Sequence, residues 1–243
     1  MISKRDVERW FESGHFRKKS AWIVIDQPKV IHAWQDSSKI VQIMVDQTDK
    51  IPKKWGGVEW MEVSHQWLSK LTNKPTHSGI LVIVNRPKKN IEQLKQAKRV
   101  LLLDGIQDPG NMGTIIRSAV AFGVNTICVT KDCVDVFHPK SINASSGTIG
   151  SVSIFDQSDW GKWIQTSKLP CIVLSPHANI SLQSVNKHEG FILISGSEGQ
   201  GVQSEEIQQL PAKLVAIPMN KQCESLNVAM SVSIALYELV HRV

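Results

Sequence analysis

From residue 100 onward the chain repeats one rhythm: a short apolar run, a loop rich in turn residues, then a helical pattern. The runs are Val100-Leu-Leu-Leu-Asp104, Thr126–Thr130, Cys171–Leu174, Phe191–Ser195 and Leu214–Ile217. Each has strand length and is apolar on successive residues, so both faces of each strand need covering. Helical patterns separate them near Asn111–Phe122, Trp160–Thr166 and Glu205–Gln209. Within the first, Met112, Ile115, Ile116, Ala119 and Val120 share one face, and Asn111, Thr114, Arg117 and Ser118 share the other. Gly123 stands where that helix would end. The alternation predicts an α/β domain built on a mainly parallel sheet. A final helix is predicted over Ser225–Val243, with Leu226, Ala229, Val232, Leu236 and Leu239 on one stripe, His241 and Arg242 in the last turn, and Ser225 as an acceptable N-cap.

The residues before 100 read differently. Short β-like runs at Ala21–Ile25, Ile40–Val45, Val58–Val63 and Gly79–Val84 surround a helical stretch near Ser64–Leu71, which predicts a small α/β domain over 1–84. The polar, basic segment Asn85-Arg-Pro-Lys-Lys-Asn90 opens a linker or connecting helix over 85–99, and 100–243 forms the second domain.

Residues 1–99 hold 19 Lys and Arg against 10 Asp and Glu, leaving 9 against 12 for residues 100–243. Runs such as Arg17-Lys-Lys19, Lys53-Lys54 and Lys88-Lys89 suit a polyanion surface. Trp10, Trp22, Trp34, Trp55, Trp60 and Trp67 share this region; aromatics among cations can stack on unpaired RNA bases, although most indoles fill core space. With 42% hydrophobic and 21% charged residues the chain supports a packed core. Its apolar stretches fall far short of the ~20 residues of a membrane span. The N-terminus lacks the apolar core of a secretory signal, and Cys128, Cys133, Cys171 and Cys223 show no paired spacing. A cytoplasmic protein with reduced thiols is the expectation. The eight histidines are scattered, and no metal site is expected.

Three loops of the second domain follow strand runs, where open α/β sheets place ligands. The first, Asp104-Gly-Ile-Gln-Asp-Pro-Gly-Asn-Met-Gly-Thr-Ile-Ile-Arg117, offers a helix N-terminus and an arginine, as at an anion site. The second, Ile194-Ser-Gly-Ser-Glu-Gly-Gln-Gly201, is glycine-rich but lacks dinucleotide-fingerprint spacing, and Glu198 would bring negative charge to where a pyrophosphate would lie. Its glycines suit close backbone approach to a neutral or cationic ligand, with Glu198 accepting hydrogen bonds or facing a positive centre. The third, Ala216-Ile-Pro-Met219 followed by Asn220–Asn227, leads into the terminal helix. Singly, each loop also reads as a surface turn, a capping segment or structural packing.

In this order, N111-M-G-x3-R117, G196-S-E-G-Q-G201, I217-P-M219 and E224-S-L-N-V-A229 resemble the motifs of the SpoU family of RNA ribose methyltransferases, in the knotted SPOUT class, over about residues 98–243. The first domain is similar to the ribosomal-protein-like RNA-binding domain of many rRNA-modifying members: Lys70-Leu-Thr-Asn-Lys-Pro-Thr-His-Ser-Gly-Ile80 fits, and Asp26-Gln27 departs. The resemblance implies a C-terminal trefoil knot, a feature no periodicity predicts. It implies S-adenosylmethionine as cofactor, held at Gly196, Glu198, Gly199, Ile217, Met219 and Leu226, and a homodimer. It implies methylation of a ribose 2′-hydroxyl in structured RNA, 23S-type rRNA by preference and tRNA as the alternative. Arg117 would activate the hydroxyl, with Asn111, Glu198, Ser225 and Asn227 completing the catalytic set. A guanidinium stays protonated at neutral pH, so gripping a phosphate and stabilising the developing alkoxide suits Arg117 better than general-base work. Two rival readings are a catalytically silent RNA-binding protein and a small-molecule or nucleotide enzyme on a Rossmann-like sheet.

Overall fold

The structure is a computed structural model that describes residues 1–33, 39–74, 77–186, 189–220 and 222–241. Trp34, Pro75, Thr76, Lys221 and Arg242 lie outside the described residues. The helices are α1 (Lys4–Glu12), α2 (Gly14–Lys19), α3 (Pro28–Ala33), α4 (His65–Thr72), α5 (Ile91–Gln96), α6 (Pro109–Ala121), α7 (Pro139–Ala144), α8 (Gln157–Thr166), α9 (Glu205–Gln208) and α10 (Val228–His241). The strands are β1 (Trp22–Ile25), β2 (Ile40–Val45), β3 (Trp60–Glu62), β4 (Ile80–Asn85), β5 (Arg99–Leu103), β6 (Thr126–Val129), β7 (Ser153–Phe155), β8 (Cys171–Leu174), β9 (Phe191–Ser195) and β10 (Ala212–Val215). Two compact units share the chain: Met1–Pro87 with Asp135–Gly150, and Lys88–Val134 with Ser151–Val243.

The first unit carries a four-stranded sheet in the order β1-β4-β2-β3, with β4 antiparallel to β1 and β2, and β2 parallel to β3. Its helices start where side chains can satisfy free backbone donors. Ser3 and Asp6 form a reciprocal capping box on α1, Ser13 accepts from Phe16 N at 3.2 Å, and Ser64 accepts from Trp67 N at 3.2 Å. Trp10 and Trp55 are buried in the core, while Trp60 is exposed on the edge strand β3. Asp26 is buried and accepts from Lys74 Nζ.

Residues 135–150, read from the sequence as part of the second domain, pack with the first unit instead. The physical reason is a buried ion pair: Arg17 Nε lies 2.6 Å from Asp135 Oδ2, with the side chains 6% and 8% exposed. Arg17 Nη1 also donates to Trp10 O at 2.7 Å, and the Arg86 guanidinium lies 4.4 Å from the Phe137 ring centre. Arg17 is therefore not available to a polyanion, whereas Lys18 and Lys19 are exposed. Asp135→Ala should strand a buried cation and lower stability by about 3–5 kcal/mol. Urea unfolding of the full chain checks this; a loss below about 1 kcal/mol would show the pair to be dispensable.

The basic excess is also divided. The first unit holds 15 Lys and Arg against 10 Asp and Glu, and residues 88–99, which belong to the second unit, hold 5 against 1. Two of those five basic residues are engaged locally: Lys89 with Asp156 and Asp159, Lys95 with Glu92.

The second unit is a six-stranded sheet in the order β10-β8-β9-β5-β6-β7, with every neighbouring pair parallel. Val100, Leu101, Leu102 and Leu103 on β5 and Phe191–Ser195 on β9 are buried throughout, as two covered faces require. The three-residue strand β7 is too short to register as a run in the sequence. All four cysteines are free thiols, and burial pushes those of Cys128, Cys133 and Cys171 up. Among the described residues no helix is long and apolar enough to cross a membrane.

Candidate active site

Parallel strands deliver all their following loops to one sheet edge, and in the second unit the loops after β5, β9 and β10 converge there. After β5, Asp108 caps α6: its Oδ1 accepts from Asn111 N at 2.7 Å, with Pro109 at the first helical position. Met112, Ile115, Ile116 and Ala119 are buried, as the stripe predicted. Arg117 is exposed, about 9 Å along the axis from Asn111 at 1.5 Å per residue. The polar face is not wholly solvated, because Ser118 Oγ lies 2.6 Å from Ser233 Oγ of α10.

After β9 the glycine loop folds back on itself. Ser197 N donates to Gly201 O at 3.1 Å and Gly201 N to Ser197 O at 3.0 Å. A Cβ on Gly196 would lie 2.0 Å from Gly201 C, so no side chain fits there. A Cβ on Gly199 would meet nothing within 4 Å. The two glycines serve different ends: Gly196 permits loop closure, and Gly199 leaves space open.

Glu198, at the head of this loop, gathers the other two loops. Its Oε1 accepts from Asn111 Nδ2 at 3.0 Å, Asn227 Nδ2 at 2.7 Å and Val228 N at 3.1 Å. Asn227 Nδ2 also lies 3.0 Å from Asn111 Oδ1. The carboxylate thus sits at the N-terminus of α10, where the helix dipole favours negative charge. Asn227 Oδ1 accepts from Ala229 N at 3.0 Å, so Asn227 caps α10, which begins at Val228; Ser225, the N-cap expected from the sequence, lies outside the helix. A polar side chain two residues nearer the helix wins because its oxygen reaches the free amides.

Beside this cluster opens a cavity of about 530 Å³ at the ends of β8, β9 and β10. Gly196, Glu198, Gly199, Ile217, Met219 and Leu226, the six residues assigned to the cofactor, all line it, as does Ser225. Asn111, Arg117 and Asn227 are not among its lining residues. Sequence reasoning missed the wall supplied by Val173, Leu174 and Ser175 at the end of β8. The available signal was positional: that segment closes the strand run Cys171–Leu174. Cys133 offers no nucleophile, since its buried thiol donates to Leu103 O at 3.3 Å. Among the described residues no group of three or more His, Cys, Asp or Glu is placed to hold a metal ion.

Comparison with known proteins places these features in a family. The model of the SpoU rRNA Methylase family matches residues 98–237. An uncharacterised tRNA/rRNA methyltransferase of Synechocystis is 35% identical over 179 residues, 72% of this chain; the chain spans 65% of that relative's length. The 23S rRNA (guanosine(2553)-2′-O)-methyltransferase RlmP of Bacillus subtilis is 27% identical over 226 residues, 91% of this chain and 89% of its own. In fold, an AdoMet-bound rRNA methyltransferase from Sinorhizobium meliloti superposes with a TM-score of 0.83 at 23% identity, covering 97% of this chain and 93% of its own. The SpoU methyltransferase AviRb from Streptomyces viridochromogenes, in complex with AdoMet, gives 0.83 at 22%, covering 98% and 97%. With more than half its length matched by the family model, and with the three motif loops meeting at one edge of a parallel sheet, the chain belongs to the SpoU rRNA Methylase family.

Proposed function

We propose that this protein methylates a ribose 2′-hydroxyl in structured RNA with S-adenosylmethionine as methyl donor, and that the RNA is 23S-type rRNA. The observation that carries the reading is the meeting of Asn111, Glu198 and Asn227, up to 116 residues apart in sequence, beside a cavity lined by all six cofactor positions. A cavity of about 530 Å³ lies within the range of about 300–1,000 Å³ usual for cofactor sites. Its glycine loop leaves the wall free of side chains at Gly199, so the residues fit a ligand of this size. The names of the relatives support rRNA, and the Synechocystis relative keeps tRNA as the alternative.

S-adenosylmethionine, when bound, supplies an electrophilic methyl group on a positively charged sulfur. The chain's own residues do the remainder. Glu198 fixes the amide groups of Asn111 and Asn227 by accepting one hydrogen bond from each, and a third bond, from Asn227 Nδ2 to Asn111 Oδ1, ties the two amides together. Those amides, with Ser225, orient the ribose so that its oxygen meets the methyl group in line, where positioning accounts for much of the rate. Arg117 grips the adjacent phosphate and stabilises the oxyanion as it develops. The first unit and the exposed lysines supply RNA affinity.

A trefoil knot belongs to the same reading. The chain travels to the outer strand β10, yet α10 returns to pack against α6, which follows β5 on the far side of β8 and β9; Ser118 and Ser233 join the two helices. A homodimer through α10 is supported by Met230, Ile234 and Tyr237, exposed apolar residues at spacings of four and three on one helix face. A silent RNA-binding protein would have no use for the Asn111–Glu198–Asn227 arrangement.

Incubation with methyl-tritiated S-adenosylmethionine and separate 23S rRNA and tRNA transcripts tests the proposal. Label is expected in rRNA, in alkali-resistant dinucleotides, because a methylated 2′-oxygen cannot attack the phosphodiester. Label confined to tRNA selects the alternative substrate, and RNA binding without label selects the silent protein.

A further inference from the structure

The buried aspartates of this chain differ in one respect. Asp26, Asp46 and Asp135, whose side chains are 6%, 9% and 8% exposed, each lie within ion-pair distance of a basic side chain: Lys74 for Asp26, Lys50 and His65 for Asp46, Arg17 for Asp135. Asp104 is 3% exposed, and none of the ion pairs among the described residues includes it. Its Oδ2 accepts from two backbone amides, Gln203 N at 2.6 Å and Ser204 N at 2.9 Å, and its own amide donates to Ser195 O at 2.9 Å. Ser195 and Val202, the residues that flank these attachments, both line the cavity. Asp104 is therefore fastened to both ends of the glycine loop, by its backbone amide at Ser195 and by its carboxylate at Gln203 and Ser204, without itself lining the cavity.

Hydrogen bonding accounts for an acid here only in part. The carbonyl oxygen of an asparagine would accept from the same two amides, less strongly than a carboxylate does, and two amide donors offset only part of the cost of a buried charge that has no cation beside it. Beyond the strength of those two bonds and the NH2 group that an asparagine would bring, what sets aspartate apart is charge, and charge acts at a distance. We infer that Asp104 is an electrostatic positioning residue, whose buried carboxylate beneath the glycine loop selects a ligand bearing a positive centre in the cavity. The inference rests on the cofactor reading above, and it concerns ligand charge, not the identity of the methyl acceptor. It assigns Asp104 a part in distinguishing a sulfonium substrate from the neutral thioether that remains after methyl transfer, although Asp104 itself lies outside the cavity lining.

Calorimetry on the full chain tests it, with S-adenosylmethionine as cationic probe and S-adenosylhomocysteine as neutral probe. In Asp104→Asn, affinity for the cationic ligand should fall about fivefold, the size expected of one charge acting roughly 10 Å away through a partly screened medium. Affinity for the neutral ligand should stay within about twofold, and the thermal midpoint should move by only a few degrees. Equal losses for both ligands would assign the carboxylate to loop architecture and overturn the inference, as would unchanged affinities or a variant that fails to fold. If the unaltered protein binds neither ligand, the cofactor reading itself is gone, and the inference goes with it.

Discussion

Arg117→Ala is expected to reduce kcat for RNA methylation by about two to three orders of magnitude while leaving S-adenosylmethionine affinity and folding intact. Arg117 is exposed on α6 and is not among the residues that line the cavity, and the buried stripe Met112, Ile115, Ile116 and Ala119 that anchors the helix does not include it. Truncation creates no core void, so the stability cost should stay within about 0.5 kcal/mol. A residue that stabilises charge appearing only in the transition state lowers kcat without a matching change in ground-state binding. Arg117→Lys sharpens the test. A point charge keeps the attraction to phosphate but loses the two-pronged geometry of guanidinium, so rescue should be partial. Single-turnover methylation at saturating cofactor, alongside calorimetry, decides the matter. An alanine variant methylating at near the original rate would place the chemistry elsewhere.

Gly196→Ala should abolish measurable cofactor binding, with a loss of at least about a hundredfold, through the backbone rather than through the ligand. The added Cβ would stand 2.0 Å from Gly201 C and 2.3 Å from Val202 N, backbone atoms that cannot swing aside. The loop would have to open, breaking the paired hydrogen bonds between Ser197 and Gly201 and carrying Glu198 away from Asn111 and Asn227. Overpacking of this kind also costs about 1–3 kcal/mol of stability, so the thermal midpoint should fall with the affinity. Gly199→Val provides the contrast. A Cβ there meets nothing within 4 Å beyond its chain neighbours, so the valine should weaken cofactor binding by occupying ligand space while the thermal midpoint holds. Calorimetry and thermal unfolding of both variants separate the two mechanisms. A folded Gly199→Val with unchanged S-adenosylmethionine affinity would remove that loop from the pocket.

Much of this could be read before any coordinates. The sequence by itself determined the parallel sheet of the second unit and the loops that follow its strands, because fully apolar runs of strand length and a 3.6-residue stripe are local properties that burial enforces wherever the chain goes. It determined that Gly196, Glu198, Gly199, Ile217, Met219 and Leu226 belong together, since motif order carried the family. Only the tertiary structure decided the rest. That Asn227, not Ser225, caps α10 depends on where the helix starts, with Glu198 taking the amide of Val228 and Asn227 that of Ala229. That Arg17 is buried against Asp135 depends on a contact spanning 118 residues, and its neighbours Lys18 and Lys19 give no hint of it. That Asp104 meets two backbone amides, and no cation among the described residues, depends on strand order, which sets β5 beside β9 and brings Gln203 and Ser204 to it across about 100 positions. Periodicity records which face of an element is buried; it cannot record what lies opposite, because that is fixed by loop closure and sheet order among residues far apart in the chain.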